Sequence, residues 1–200
     1  PNERPVDEER YWLQRSIDVI ERHTGQRPRG YRAPLYKFSE NTLDLLLEEG
    51  FAYDASLMAD DIPYLIQSNE GDLVELPSYW GLDDWPPYVH MSDIDFMMPI
   101  MAPSNAIVGF RDEFDAAWEY GGLWVGVWHP FVSGRLSRLH AIEGLLKHML
   151  VKGNVWIASM EEIAAHVRSV IDSGEYTPRV EALPYYTGPV QIPAYQSGKS

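Results

Sequence analysis

Two spacings of apolar residues recur along this chain, one helical and one strand-like, and they alternate from end to end. Residues 7–24 predict an amphipathic helix, with Trp12, Leu13, Ile17 and Ile20 on its apolar side and Gly25 as its stop. The run from Pro28 to Pro34 predicts a turn into a short strand that ends in a loop. A second helix is expected from Ser39, carried by Leu43, Leu45, Leu46 and Leu47 and closed by Gly50. Short strands are expected at 51–54 and 72–77. The stretch 78–105 is aromatic, acidic and rich in proline without a clean period, and a loop that long inside a compact domain usually serves function or assembly. Beyond it come a helix at 112–120 and a continuous apolar run at 123–128, the pattern of a parallel strand buried on both faces. A helix at 136–151, a strand at 155–158 and a helix at 160–171 follow, the last opened by Ser159 and Glu162 in capping-box spacing. After Ser173, Pro178, Pro184, Pro189 and Pro193 stand among Tyr, Gly and Val, the composition of an extended arm. The expected organisation is one α/β domain over 1–173 with mostly parallel strands, and a Pro/Tyr-rich arm over 174–200.

Charge and composition narrow the function classes. Sixteen Lys and Arg against 30 Asp and Glu give a net charge of −14. Nucleic acids and anionic membranes need a basic footprint, so neither is expected as a partner. The absence of cysteine excludes disulfides, thiolate zinc sites and a cysteine nucleophile. No apolar run approaches the roughly 18 residues of a membrane span, and the start Pro1-Asn2-Glu3-Arg4-Pro5 has neither the basic nor the apolar part of a secretory signal. The first residue is not methionine, so a processed or truncated product is expected, and a cytoplasmic location.

In α/β folds the chemistry sits just beyond the carboxyl ends of parallel strands. Three places put polar residues there: Arg32, the run Trp80-Gly81-Leu82-Asp83-Asp84-Trp85, and His129-Pro130 with Ser133-Gly134-Arg135. An imidazole at the end of a buried strand suits general acid/base work. Arg32 could hold a carboxylate bidentately or a surface ion pair, and Asp83-Asp84 could be an acidic site or an exposed loop. His23, His140, His148 and His166 fall on predicted helices and read as surface. No H-x-x-x-H, H-E-x-x-H, G-x-S-x-G, G-x-G-x-x-G or P-loop occurs. The chain alone contains no complete metal site and no complete triad.

Arg32-Ala33-Pro34, Tyr53-Asp54-Ala55-Ser56, Val74-Glu75-Leu76-Pro77 with Trp80 and Asp83-Asp84, and Trp128-His129-Pro130 with Gly134-Arg135 stand in an order that resembles the later motifs of the polysaccharide deacetylase family. The likeness is to the mainly intracellular branch of peptidoglycan-deacetylase-like proteins, allantoinase-like proteins and cyclic imide hydrolases. It extends over about residues 7–170. Gly134 to Arg138, Val155-Trp156 and the run from Glu161 to Ala164 add to it near the C-terminus. The resemblance implies a distorted parallel (β/α) barrel, of which this chain would form the C-terminal two-thirds or so. It implies a divalent metal, usually zinc, held by one Asp and two His, with a second Asp as base. By matching position, His129 would be the acid that protonates the leaving nitrogen and Arg32 would steady the base. Trp80, Asp83, Asp84 and Trp85 would belong to the substrate-side loop, with Arg135 beside the acid. The family's first two motifs, an Asp-Asp pair and H-x-x-x-H, have no counterpart before Arg32. The metal ligands and the base are therefore expected upstream of this chain.

The expected function is a metal-dependent hydrolase of non-peptide C–N bonds, acting on a small amide or an N-acetylated sugar, completed by an N-terminal segment and assembled as a homo-oligomer. The alternative is a catalytically inactive binding or assembly module of the same fold. His129 and Arg32 are expected to share one pocket.

Overall fold

The computed structural model describes residues 5–183. Five strands form one sheet: β1 (Gly30–Tyr31), β2 (Tyr53–Asp54), β3 (Tyr64–Gln67), β4 (Asp72–Glu75) and β5 (Val180–Ala182), in the order β1-β2-β4-β3-β5. β1, β2 and β4 are mutually parallel, β3 runs antiparallel to β4, and β5 lies parallel to β3. The three parallel strands therefore direct their carboxyl ends, and the loops that follow, to one edge of the sheet. The helices are α1 (Val6–Thr24), α2 (Thr42–Glu48), α3 (Trp85–Tyr88), α4 (Pro103–Tyr120), α5 (Pro130–Ser133), α6 (Leu136–Lys152) and α7 (Met160–Asp172).

Strand alternation decides which helix covers which face. Tyr64, Ile66 and Leu73 meet Ile17 of α1 and Leu43 and Leu46 of α2 on one side. Leu65 and Val74 meet Ala164 and Val167 of α7 on the other. Burying each such aliphatic side chain stabilises the fold by about 1.5–3 kcal/mol. A third cluster joins Ile107, Phe110 and Phe114 of α4 to Ile142, Leu145 and Met149 of α6, with Leu82 beneath them. Polar groups fasten the first layer: the buried Glu9 of α1 accepts from Ser39 Oγ at 2.7 Å and Thr42 Oγ1 at 2.6 Å, placing its charge at the amino end of α2.

The helices at 6–24, 136–152 and 160–172 agree with the apolar spacing, and the capping box at Ser159 and Glu162 is complete. Four segments differ. Residues 123–128 are extended but form no ladder; they bridge in parallel to Asp83 at Val127, with hydrogen bonds from Leu123 N to Asp61 O (2.9 Å) and Val127 N to Leu82 O (2.9 Å). They are half-buried, because only one edge of the segment has a backbone partner among the described residues. Residues 155–158 likewise form no strand. β3 was not expected, since Tyr64-Leu65-Ile66 is apolar without alternation, being covered on both faces. α4 begins nine residues earlier than 112, with Pro103 in its first turn and Ala106, Ile107, Phe110 and Phe114 on one buried stripe. The stretch 78–105 is organised by short helical turns at Trp80–Leu82, Trp85–Tyr88 and Ser92–Ile94. Of the expected arm, Val180–Ala182 adds β5 to the sheet edge, and residues 184–200 lie outside the described residues. No helix among the described residues is long and apolar enough to cross a membrane.

Candidate active site

Where β1 ends, Arg32 turns its side chain across the neighbouring strand and donates from Nε to the carbonyl of Ala55 at 2.8 Å. Its Nη2 lies against Met160 Sδ of α7, at 3.9 Å, and no carboxylate among the described residues forms an ion pair with it. The chain then makes a tight turn at Pro34–Tyr36, and both Leu35 (φ 54°) and Tyr36 (φ 57°) adopt the left-handed conformation. Consecutive non-glycine residues in that region store backbone strain, and here the Tyr36 hydroxyl repays it with a 2.6 Å hydrogen bond to Asp83 Oδ2. Tyr36 also meets Trp80 edge-on, with ring centroids 4.7 Å apart. Burial, and then the Asp83 carboxylate, push the Tyr36 phenol above its usual range.

His129 stands at the N-cap of α5, at the end of the extended run 123–128. Its Nδ1 lies 2.6 Å from Asp84 Oδ1, and its backbone N–H donates to Asp84 Oδ2 at 2.9 Å. Ser133 Oγ of the same helix also donates to Asp84 Oδ2. Asp84 has no exposed surface, while the His129 ring is a third exposed. The ring is flanked by Trp85 (centroids 5.4 Å apart) and Phe131 (5.7 Å). Donation of the Nδ1 hydrogen to a fixed carboxylate selects the tautomer and leaves Nε2 as the nitrogen free for chemistry. The Asp83–Val127 bridge joins the acidic turn to the histidine segment, so Asp84 and His129 meet through backbone pairing as well as side chains.

A cavity of about 260 Å³ brings these parts together; Arg32, Pro34, Tyr36, Trp80, Trp85 and His129 line it. Arg32 and His129 therefore share one pocket, as do Trp80, Trp85 and Asp83. Asp84 lies behind it, facing His129. Arg135 is exposed at the N-cap of α6 and does not line the cavity. Two larger cavities, of about 570 and 550 Å³, are mainly apolar and contain none of His129, Asp83 and Asp84.

Asp83, Asp84 and His129 are the one group of three or more acidic and histidine side chains among the described residues with ligand atoms mutually close, all within 4.8 Å. In this arrangement His129 Nδ1 donates its hydrogen to Asp84 and has no lone pair to offer a cation. Both oxygens of Asp84 already accept hydrogens, from His129 Nδ1, His129 N and Ser133 Oγ. Both oxygens of Asp83 do too, from Trp85 N at 2.7 Å and from Tyr36 Oη. A cation bound at His129 Nδ1 would have to displace the Nδ1 hydrogen.

Sequence reasoning placed Ser133 beside His129 but did not single out Tyr36. Tyr36 lies two residues past Pro34, so proximity to Arg32 was the available signal. It also passed over the buried Asp54 and Glu75, both inside quoted motifs.

A sheet with mostly parallel strands, helices on both faces and polar groups gathered beyond the strand ends is the architecture of the polysaccharide deacetylase and allantoinase barrels. The solved allantoinase PuuE superposes with a TM-score of 0.70 at 23% identity, over 87% of this chain and 56% of that one, a likeness of fold. The chain is also similar in sequence to deacetylases. It is 33% identical over 180 aligned residues to the peptidoglycan deacetylase of Helicobacter pylori, across 76% of this chain and 61% of the relative. A crystal structure from Mycobacterium smegmatis, described as a polysaccharide deacetylase, matches at 40% identity with a TM-score of 0.81, over 90% of this chain and 62% of that one. The resemblance carried by the ordered motifs agrees with these relatives. No family model matches the chain. The chain spans about three fifths of the length of these two relatives.

Proposed function

We propose that this chain carries the acid side of a metal-dependent hydrolase of non-peptide carbon–nitrogen bonds, an N-deacetylase or cyclic amide hydrolase. The observation that carries the reading is the Asp84–His129 pair: a buried carboxylate 2.6 Å from Nδ1 of a partly exposed imidazole that lines a cavity. The names of the relatives favour an N-acetylated sugar as substrate.

When the C–N bond of a tetrahedral intermediate breaks, its electron pair goes to nitrogen, and the amide or amine anion is too basic to leave unprotonated. His129 Nε2 gives that nitrogen its proton. Asp84 accepts the Nδ1 hydrogen throughout, holding the ring in place and stabilising the imidazolium before transfer. Arg32, on the same cavity and without an ion-pair partner among the described residues, steadies the base aspartate. Trp80, Trp85 and Asp83 form the wall against which the substrate rests. In this reading the divalent ion, zinc or another, and the base are supplied from outside this chain. The acidic, cysteine-free composition supports a cytoplasmic protein.

The test is kcat and bound metal measured together for folded His129→Ala in the complete protein. A fall in kcat of roughly 10²–10⁴-fold with metal content unchanged is expected. Unchanged kcat, or metal lost together with activity, would overturn the role. A folded wild type that turns over neither N-acetylated sugars nor cyclic amides would leave the inactive module as the reading.

A further inference from the structure

Asp54 and Glu75 take part in no step described above, yet both have 0% exposure. They are register partners at the ends of β2 and β4, so parallel pairing sets their side chains on the same face of the sheet. Two neighbouring buried carboxyl groups do not both ionise. The hydrogen-bond inventory agrees. Asp54 accepts from Ser56 N at 2.7 Å and Ser56 Oγ at 2.9 Å. Glu75 Oε1 accepts from Leu57 N at 2.8 Å, and Glu75 Oε2 is buried with no donor. A hydrogen on that oxygen resolves the deficit, with Asp54 as its acceptor. Burial first, and then the Asp54 charge, push the Glu75 carboxyl well above its usual range; burial raises Asp54 too, against the opposing hydrogen bonds from Glu75 and Ser56.

From this pair the contacts run outward to the cavity. Ser56 Oγ, which donates to Asp54, accepts the Ala33 N–H at 2.7 Å. The carbonyl of Ala55 accepts both Arg32 Nε at 2.8 Å and Ser78 Oγ at 2.6 Å. Arg32 and Ala33 are thus fixed by the two residues that follow Asp54. The charged or titratable groups around the pair include Arg32 itself, Tyr31 on β1, Tyr64, the β3 register partner of Glu75, and the buried Glu9 of α1, whose charge reaches Tyr31. Asp54 raises the Tyr31 phenol, which burial has already pushed up, to about 12. α2 closes that side with Leu43 and Leu46, and offers no cation.

We propose that Asp54 and Glu75 share a single proton at neutral pH, and that the resulting monoanion is the positioning element for Arg32, acting through Ala55 and Ser56. The importance of Arg32 rests on the function proposed above; the proton sharing and the positioning do not. The test uses the whole chain and needs no turnover, so its failure would leave the role of His129 standing.

Infrared spectra of protein labelled with ¹³C at the glutamate carboxyls should show a protonated carboxylic acid carbonyl at pH 7 in the wild type. That signal should be gone in Glu75→Gln. Hydrogen exchange at Arg32 Nε, followed by ¹⁵N NMR, should be alike in the wild type and Glu75→Gln, since glutamine supplies a neutral donor to Asp54. It should be roughly tenfold faster in Asp54→Asn, the size of one lost buried hydrogen bond. Absence of the acid carbonyl in the wild type would overturn the shared proton, whatever the variants do. Equal Arg32 exchange in all three folded proteins would overturn the positioning.

Discussion

Each oxygen of Asp84 accepts a hydrogen from His129 or Ser133, and these bonds fix how the carboxylate faces the imidazole. A carboxylate so engaged orients its neighbour and selects its tautomer. Asp84→Asn would turn an amide donor toward Nδ1 and favour the wrong tautomer. Turnover of the complete enzyme should fall by roughly 10²–10⁴-fold, with near-UV dichroism unchanged. Tyr36→Phe leaves Asp83 Oδ2 without its hydroxyl donor, and should destabilise the fold by about 1–3 kcal/mol in urea titration. The pH dependence follows from Glu75. Its folded-state value is raised, so the folded state keeps a proton that the unfolded chain releases near 4.5. The stability tied to that proton is complete below 4.5 and is lost as pH rises through the folded value. In Glu75→Gln this part of the slope should vanish; urea midpoints at pH 5 and pH 8 check it.

At the scale of elements, α7 and α5 hold the site from two sides. Ser159→Ala removes the N-cap of α7, whose Met160 touches Arg32, and should cost about 1 kcal/mol, read as a shift in Tm. A methyl group at Gly134 would strike the Pro130 carbonyl, a backbone atom with little room to move. Gly134→Ala should therefore cost about 1–3 kcal/mol and disturb the His129 N-cap of the same helix, visible as a shifted His129 resonance. The long helices were legible because three or four turns of apolar spacing repeat the signal. Strands of two residues such as Gly30–Tyr31 give no period to read, and the run 123–128 has a strand's composition without a strand's partners. Arg32 and His129 were legible from their place after apolar runs. The Tyr36–Asp83 and Asp54–Glu75 pairings were not, because they join residues 47 positions apart in one case and adjacent strands in the other. Such contacts exist only once the sheet is assembled.

The whole molecule combines a strongly acidic composition with a loop at 91–101 that exposes Met91, Met97, Met98, Ile100 and Met101. Apolar side chains gathered in one exposed loop favour self-association, and methionine is enriched in such interfaces. Light scattering should accordingly give a mass at least twice the 22.9 kDa of one chain, and Met98→Glu with Met101→Glu should reduce it to one chain. Asp84 and His129 form either a proton-donating pair or part of a metal site. ¹⁵N NMR of His129 during a zinc titration of this chain decides between them. The Nδ1–H resonance should be present, shifted downfield by Asp84, and unmoved by one equivalent of zinc. Loss of the Nδ1 proton, with a stoichiometric shift of the ring nitrogens on adding zinc, would contradict the account.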